Sequence, residues 1–256
     1  MSLSWKLGRF AGIDVFLHPT FLLILLLPGV AENLPLVLAM FGCVLLHEFG
    51  HALTARRFGI ETADITLYPI GGVARLTRMP RAPGVELLIA LAGPAVNLAI
   101  AAGLCLTLGV GSVVGAGGFM ANLLVMNLVL AAFNMIPAFP MDGGRVLRAL
   151  LGGWVGRGKA TSFAAAVGRT LALGFGVYSL LNWELMHVAL AAFIYMAAGA
   201  EERGVLAEER RRNGEDAGGT DWSAPAGYRW IRTGQGVWRL APIHVDATAS
   251  SWGGRR

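Results

Sequence analysis

Charge is scarce in this chain. Asp, Glu, Lys and Arg make up only 14% of its 256 residues against 55% hydrophobic residues, and mean hydropathy is +0.59. A water-soluble domain scatters charge over its surface, whereas here the charged residues are clustered, so the composition points to a membrane protein. Cysteine is scarcer still. Cys43 and Cys105 fall in different apolar runs and lack the spacing of a cysteine metal site, so neither a disulfide framework nor a thiolate centre has support. The first apolar run has no small-residue cleavage site behind it and is soon followed by another, so it is expected to stay as an anchor. No basic, aromatic-interleaved recognition element occurs either, so the net charge of +5 and the pI of 9.8 do not imply nucleic acid.

Long apolar runs are what the chain does have. Six are candidates to cross a bilayer, at about 15–30, 36–55, 86–110, 118–137, 163–181 and 183–200. Positive charge alternates between their ends. Lys6 and Arg9 precede the first run; Arg56, Arg57, Arg75, Arg78 and Arg81 follow the second; Arg145, Arg148, Arg157 and Lys159 follow the fourth; Arg203 and Arg210–Arg212 follow the sixth. The opposite connections, near 31–35, 111–117 and 182, contain no Lys or Arg. The pattern predicts an all-α polytopic membrane protein of about six transmembrane helices, in the cell membrane, with both termini cytoplasmic. Arg169 alone falls inside a span, near its cytoplasmic start, where snorkelling accounts for it.

Residues 60–85 alternate Ile65 and Leu67 before Pro69, Gly71 and Gly72, which suits a short membrane-edge β segment near 60–80 and suits a plain loop equally well. Composition changes after residue 200, which divides the chain into a six-span core, 1–200, and a cytoplasmic tail, 201–256. In that tail Glu201–Asp216 reads as a solvated helix extension and linker, and 228–240 as a hairpin, marginal by itself.

At the end of the second run stands His47-Glu48-Phe49-Gly50-His51. Residues four apart share a helix face, so both imidazoles can meet one tetrahedral Zn²⁺ while Glu48 stands beside them as general base. Two histidines merely facing solvent would need water that Leu36–Leu46 and Ala52-Leu53 do not provide, and ionisable groups inside a span are functional by default. A third ligand is required. In Asn134-Met-Ile-Pro137-Ala-Phe-Pro140-Met-Asp142-Gly143-Gly144-Arg145 the prolines must end the fourth helix, and Asp142 then follows at the basic side of the membrane. The histidines lie at the same depth, roughly 8–14 Å from Arg56 at 1.5 Å per residue. An ordinary turn acid before Gly-Gly would suit the local sequence as well, but shared depth and the missing ligand favour Asp142 for the metal. His18 and His187 have no partner at metal spacing and read as hydrogen-bonded residues.

Together, His47-Glu48-x-x-His51, Asn134-x-x-Pro137-x-x-Pro140-x-Asp142-Gly143-Gly144, Gly93-Pro94-x-x-Asn97 and Tyr68-Pro-Ile-Gly71-Gly72 resemble the site-two protease family of intramembrane zinc metalloproteases. The resemblance runs from about His18 to Ala200 and is to the compact type, since the tail is too short for a pair of cystathionine-synthase-type modules and no segment has room for a PDZ domain. It implies one Zn²⁺ per chain held by His47, His51 and Asp142, with Glu48 as base and Asn134 near the scissile carbonyl. It further implies that Gly71, Gly72 and Asn97 serve substrate binding, the 60–80 segment holding an unwound substrate by strand addition, although an intramembrane Asn such as Asn97 can equally serve helix packing. The implied activity is regulated intramembrane proteolysis of a single-span membrane protein, such as an anti-sigma factor or a membrane-tethered transcription factor, in a prokaryotic bilayer. Two rivals stay open: a zinc transporter, which would not need Glu48, and a proteolytically inactive zinc-binding relative, against which the intact Glu48 argues.

Overall fold

A computed structural model describes residues 4–26, 29–69, 71–77, 80, 82–108, 118–213, 228–233 and 237–242. The chain divides into two compact units, Met1–Ala207 and Glu208–Arg256. The first contains four strands, β1 (Trp5–Phe10), β2 (Ile13–Leu17), β3 (Thr62–Tyr68) and β4 (Gly71–Leu76), in one sheet of order β1-β2-β3-β4. β1 and β4 pair antiparallel with their neighbours, and β2 lies parallel to β3. The helices are α1 (Leu34–Arg57), α2 (Pro83–Leu108), α3 (Phe119–Asn134), α4 (Asp142–Val155), α5 (Arg157–Leu181) and α6 (Leu185–Asn213).

Local chemistry sets several of these boundaries. α1 carries a proline at its first turn, where the missing N–H costs nothing, and Arg56 and Arg57 at its last, against the negative end of the helix dipole. α3 stops at Asn134 because Pro137 and Pro140 cannot continue it, and α4 begins on Asp142, whose charge suits a helix N-terminus. Among the described residues four helices are long and apolar enough to cross a membrane, over Leu34–Arg57, Pro83–Leu106, Arg157–Leu181 and Leu185–Arg211. At 16 residues, or about 24 Å, α3 falls short of the roughly 30 Å hydrocarbon layer.

The all-α expectation needs correction at the N-terminus. The described residues of the apolar run at 15–30 form no α-helix: they supply the end of β2 and then a 3₁₀ helix, Pro19–Leu26. Ile13 and Val15 alternate with the partly buried Asp14, and β2 finds its partner fifty residues on, with Val15 opposite Ile65 and Leu17 opposite Leu67. The segment near 60–80 is a β-hairpin, and β1 and β2 extend it on one side into a four-stranded sheet. That sheet packs on α1 through Ile13, Ala52 and Ile65, with Leu45, Phe49 and Ala74 around them.

A buried ion cluster ties α2, α4 and α6. Arg148, 1% exposed, donates to Glu86 (Nε to Oε1, 2.6 Å) and to Glu201 (3.1 Å), and its guanidinium lies over the Phe139 ring at 4.9 Å. Arg169, instead of only snorkelling, pairs with Glu202 at 2.8 Å. In the second unit β5 (Tyr228–Thr233) and β6 (Val237–Pro242) form the expected antiparallel hairpin, while the linker after Asn213 lies outside the described residues.

Candidate metal centre

His47 and His51 project from one face of α1, and Asp142 reaches them from the first turn of α4. His47 Nε2 and His51 Nε2 are 3.1 Å apart, and Asp142 Oδ2 is 3.1 Å from the first and 3.0 Å from the second. All three residues are buried, at 4%, 5% and 8% exposure. Burial alone would raise the Asp142 carboxyl, but its contacts with the two imidazoles outweigh that and hold it below the ordinary carboxylate range.

Spacing, second contacts and free space around the trio all suit a cation. Bonds of 2.0–2.1 Å at tetrahedral angles separate ligand atoms by about 3.3 Å, close to the sides of this triangle. The outer imidazole nitrogens are held as metal-ligating histidines require. His51 Nδ1 donates to the Ile89 carbonyl at 2.7 Å, leaving Nε2 with its lone pair toward Asp142. His47 Nδ1 is 3.0 Å from Nδ2 of the Asn97 amide, whose Oδ1 is buried and without a hydrogen-bond partner among the described residues. An amide can meet that nitrogen with either end. With Oδ1 turned to it, Nδ1 donates and His47 Nε2 also presents a lone pair. Finally, Gly93 leaves space: a Cβ there would collide with Nε2 of both His47 and His51. The set fits a tetrahedral cation with three protein ligands.

Gly93 and the Ile89 carbonyl are the participants that sequence reasoning missed. Ile89, Gly93 and Asn97 are successive turns of one α2 face, so that face seats the first histidine, makes room and seats the second. A four-residue period through Gly93 and Asn97 was the available signal; the carbonyl at Ile89 left none. Asn97 itself is completely buried and touches the His47 ring.

Glu48, partly buried, lies against β4, where a Cβ at Gly72 would meet its Cγ. Gly71 adopts a φ of +148°, a conformation that favours glycine, and opens the strand beside it. Within the described residues β4 is an edge of the sheet, with one side of its backbone unpaired. Asn134 is the last residue of α3, partly buried, and its amide donates to the Leu130 carbonyl one turn back at 3.0 Å. The Pro137–Asp142 crossing is closed by glycines: a Cβ at Gly143 would meet the Ile136 carbonyl, and one at Gly168 the Phe139 carbonyl.

Membrane-length helices around a buried two-histidine, one-carboxylate set are the build of a membrane-embedded metal site. Comparison with known proteins narrows that class. The model of peptidase family M50 matches residues 35–117 and 111–175, and the chain belongs to that family. It is 36% identical over 221 residues to a zinc metalloprotease of Methanocaldococcus jannaschii, covering 83% of this chain and 65% of the relative. Stage IV sporulation protein FB of Bacillus subtilis is 25% identical over 191 residues, 74% of this chain and 66% of its own. The chain thus spans just under two thirds of the length of these curated relatives. Among solved structures, the site-2 protease from Methanocaldococcus jannaschii aligns with a TM-score of 0.59 and 34% identity, over 78% of this chain and 95% of that one.

Proposed function

We propose that the chain is a zinc-dependent intramembrane endopeptidase that hydrolyses a peptide bond in the transmembrane segment of a membrane-anchored substrate. The observation that carries this is the position of Glu48, beside the His47–His51–Asp142 trio on one side and against the edge strand β4 on the other. A transporter needs no carboxylate there. The names of the relatives, a zinc metalloprotease and a site-2 protease, support the same reading.

When bound, Zn²⁺ polarises a carbonyl and brings the pKa of water near 7. The chain's own residues do the rest. His47, His51 and Asp142 would hold the ion, one per chain, while Asn97 and Ile89 fix the imidazoles. An unwound substrate adds to the free edge of β4 at Gly71 and Gly72, where main-chain hydrogen bonds replace those its helix gave up and lay a carbonyl beside the trio. Glu48 takes a proton from the attacking water and returns it to the leaving amine. Asn134, freed from the Leu130 carbonyl, would donate to the oxygen on which negative charge develops. Substrates of this kind are single-span proteins such as anti-sigma factors or tethered transcription factors, and their cleavage within the bilayer is regulated intramembrane proteolysis. The test is zinc content of the purified protein together with cleavage of single-span peptides with and without chelator. Stoichiometric zinc and chelator-sensitive cleavage are expected; zinc without cleavage would favour the inactive relative.

The same proposal includes a sixth crossing of the membrane, made without an α-helix. Arg56 donates to the Ala11 carbonyl, Ile13 packs with Ala52, and Phe21 meets Phe41 edge-on at 4.6 Å, so β2 and the 3₁₀ helix climb α1 from its C-terminal end toward its start. Five strand residues at 3.3 Å and eight 3₁₀ residues at 2.0 Å cover about 33 Å, enough for the hydrocarbon layer. The turn between β1 and β2 then faces the cytoplasm, in keeping with Arg9 beside it and with the Lys/Arg alternation. Cysteines replacing Arg9 and Arg57 should label from inside and one replacing Glu32 from outside; labelling of Arg9 and Glu32 positions from one side would remove the crossing.

A further inference from the structure

One turn along α1 from His47, between α1, α3 and the start of β4, lies a cavity of about 350 Å³ that is open on one side, where Val129 and Phe133 are exposed. Its wall is apolar, with Phe41 and Val44 from α1, Val129 and Phe133 from α3, and Gly71 from β4. One polar side chain lines it. Asn127, 1% exposed, donates through Nδ2 to the Leu123 carbonyl at 2.8 Å and to Cys43 Sγ at 3.4 Å. Because a carbonyl only accepts, these contacts settle which end of the amide is nitrogen. Asn127 Oδ1 is thus a buried acceptor without a hydrogen-bond partner among the described residues, on the wall of an apolar space. A buried acceptor left unmet is costly, and deserves a donor.

An unwound transmembrane segment brings such donors. A strand added to β4 pairs the N–H groups on its near side and leaves those on its far side unmet in a medium without water. Gly71 and Asn127 both line the cavity, the one from β4 and the other from α3, so a segment seated on β4 there lies between the edge strand and the stretch of α3 that carries Asn127. We propose that this cavity is a substrate subsite: it receives one apolar side chain of the substrate, on the side of the cut bond that faces the N-terminal half of α1, while Asn127 Oδ1 accepts a far-side backbone N–H. The inference rests on the endopeptidase reading above.

The two halves of the proposal separate experimentally. A peptide panel carries Ala, Leu or Phe at each successive position around the mapped cut, and zinc content is measured for every variant so that loss of the metal site is recognised. Val129→Phe narrows the cavity, so it should slow the Phe peptide more than tenfold at one position only and leave the Ala peptide within twofold. Asn127→Leu keeps the volume without the acceptor and should slow all peptides about equally, by fivefold or more, with zinc retained. Equal rates across side-chain sizes in Val129→Phe, as for a recess that merely holds lipid, would overturn the subsite; an unchanged rate in Asn127→Leu would remove the acceptor role. Failure of the parent protein to cut any peptide would instead sink the endopeptidase reading, and the subsite with it.

Discussion

Two polar clusters are buried in the first unit, and both involve α4. Asp142 and Arg148 are six residues, or about 9 Å, apart along that helix. Arg148 answers to two carboxylates and an aromatic face, so its charge is matched where it stands. The other cluster is built the opposite way. Two imidazole nitrogens and a carboxylate oxygen converge within 3.1 Å of one another, with the Ile89 carbonyl and the Asn97 amide against the outer imidazole nitrogens. The first cluster is complete as it is, and holds helices together. The second brings three donor atoms to one point where a cation could sit, and the contrast separates a set of converging donors from a structural ion pair at equal burial.

The contrast breaks most sharply at Asp142. Asp142→Ala should abolish zinc retention and cleavage while leaving the metal-free protein folded, which zinc analysis and a thermal melt with and without added zinc would show: a zinc-dependent rise in Tm in the parent and none in the variant. Should Asp142→Ala keep its zinc, the carboxylate is not a ligand. Next in size is Glu48→Gln, expected to retain zinc and lose 10²- to 10⁴-fold in turnover, about what a general base contributes. Near-normal cleavage would end that role. Arg148→Ala should behave in reverse, since it strands Glu86 in the interior and costs about 3–5 kcal/mol of stability, read as a lower Tm in metal-free and zinc-loaded protein alike. Smallest is Asn97→Ala, expected to weaken zinc affinity about 10- to 100-fold in a chelator competition with little change in the metal-free melt. An equal loss of stability in both states would make Asn97 a packing residue.

Much of the metal centre was legible because its signals are local. His47, Glu48 and His51 need only the geometry of one helix, and Asp142 follows from the prolines before it and the depth at which the chain re-emerges. What escaped was non-local. Val15 has the hydropathy of a span, and only its pairing with Ile65 makes it a strand, a fact absent from residues 15–30. Asn97 could be seen as an intramembrane amide without any sign of its partner, since His47 lies fifty residues away on another helix. Gly93 was visible as a motif glycine, yet its purpose is a space between two imidazoles that exists only once α1 and α2 are packed.

That packing has a mechanical consequence. Ile89, Gly93 and Asn97 engage α1 at three successive turns, like teeth on a rack with a pitch of about 5.4 Å, and Gly50 lets the backbones close further, since a Cβ there would strike the Ala92 carbonyl. Shear of α2 along α1 therefore disturbs both imidazoles in one movement and brings a neighbouring side chain into the space that Gly93 keeps clear. Zinc retention becomes a strain gauge for these two helices: a bilayer or detergent that slides them out of register is read first as metal loss, before any helix unwinds.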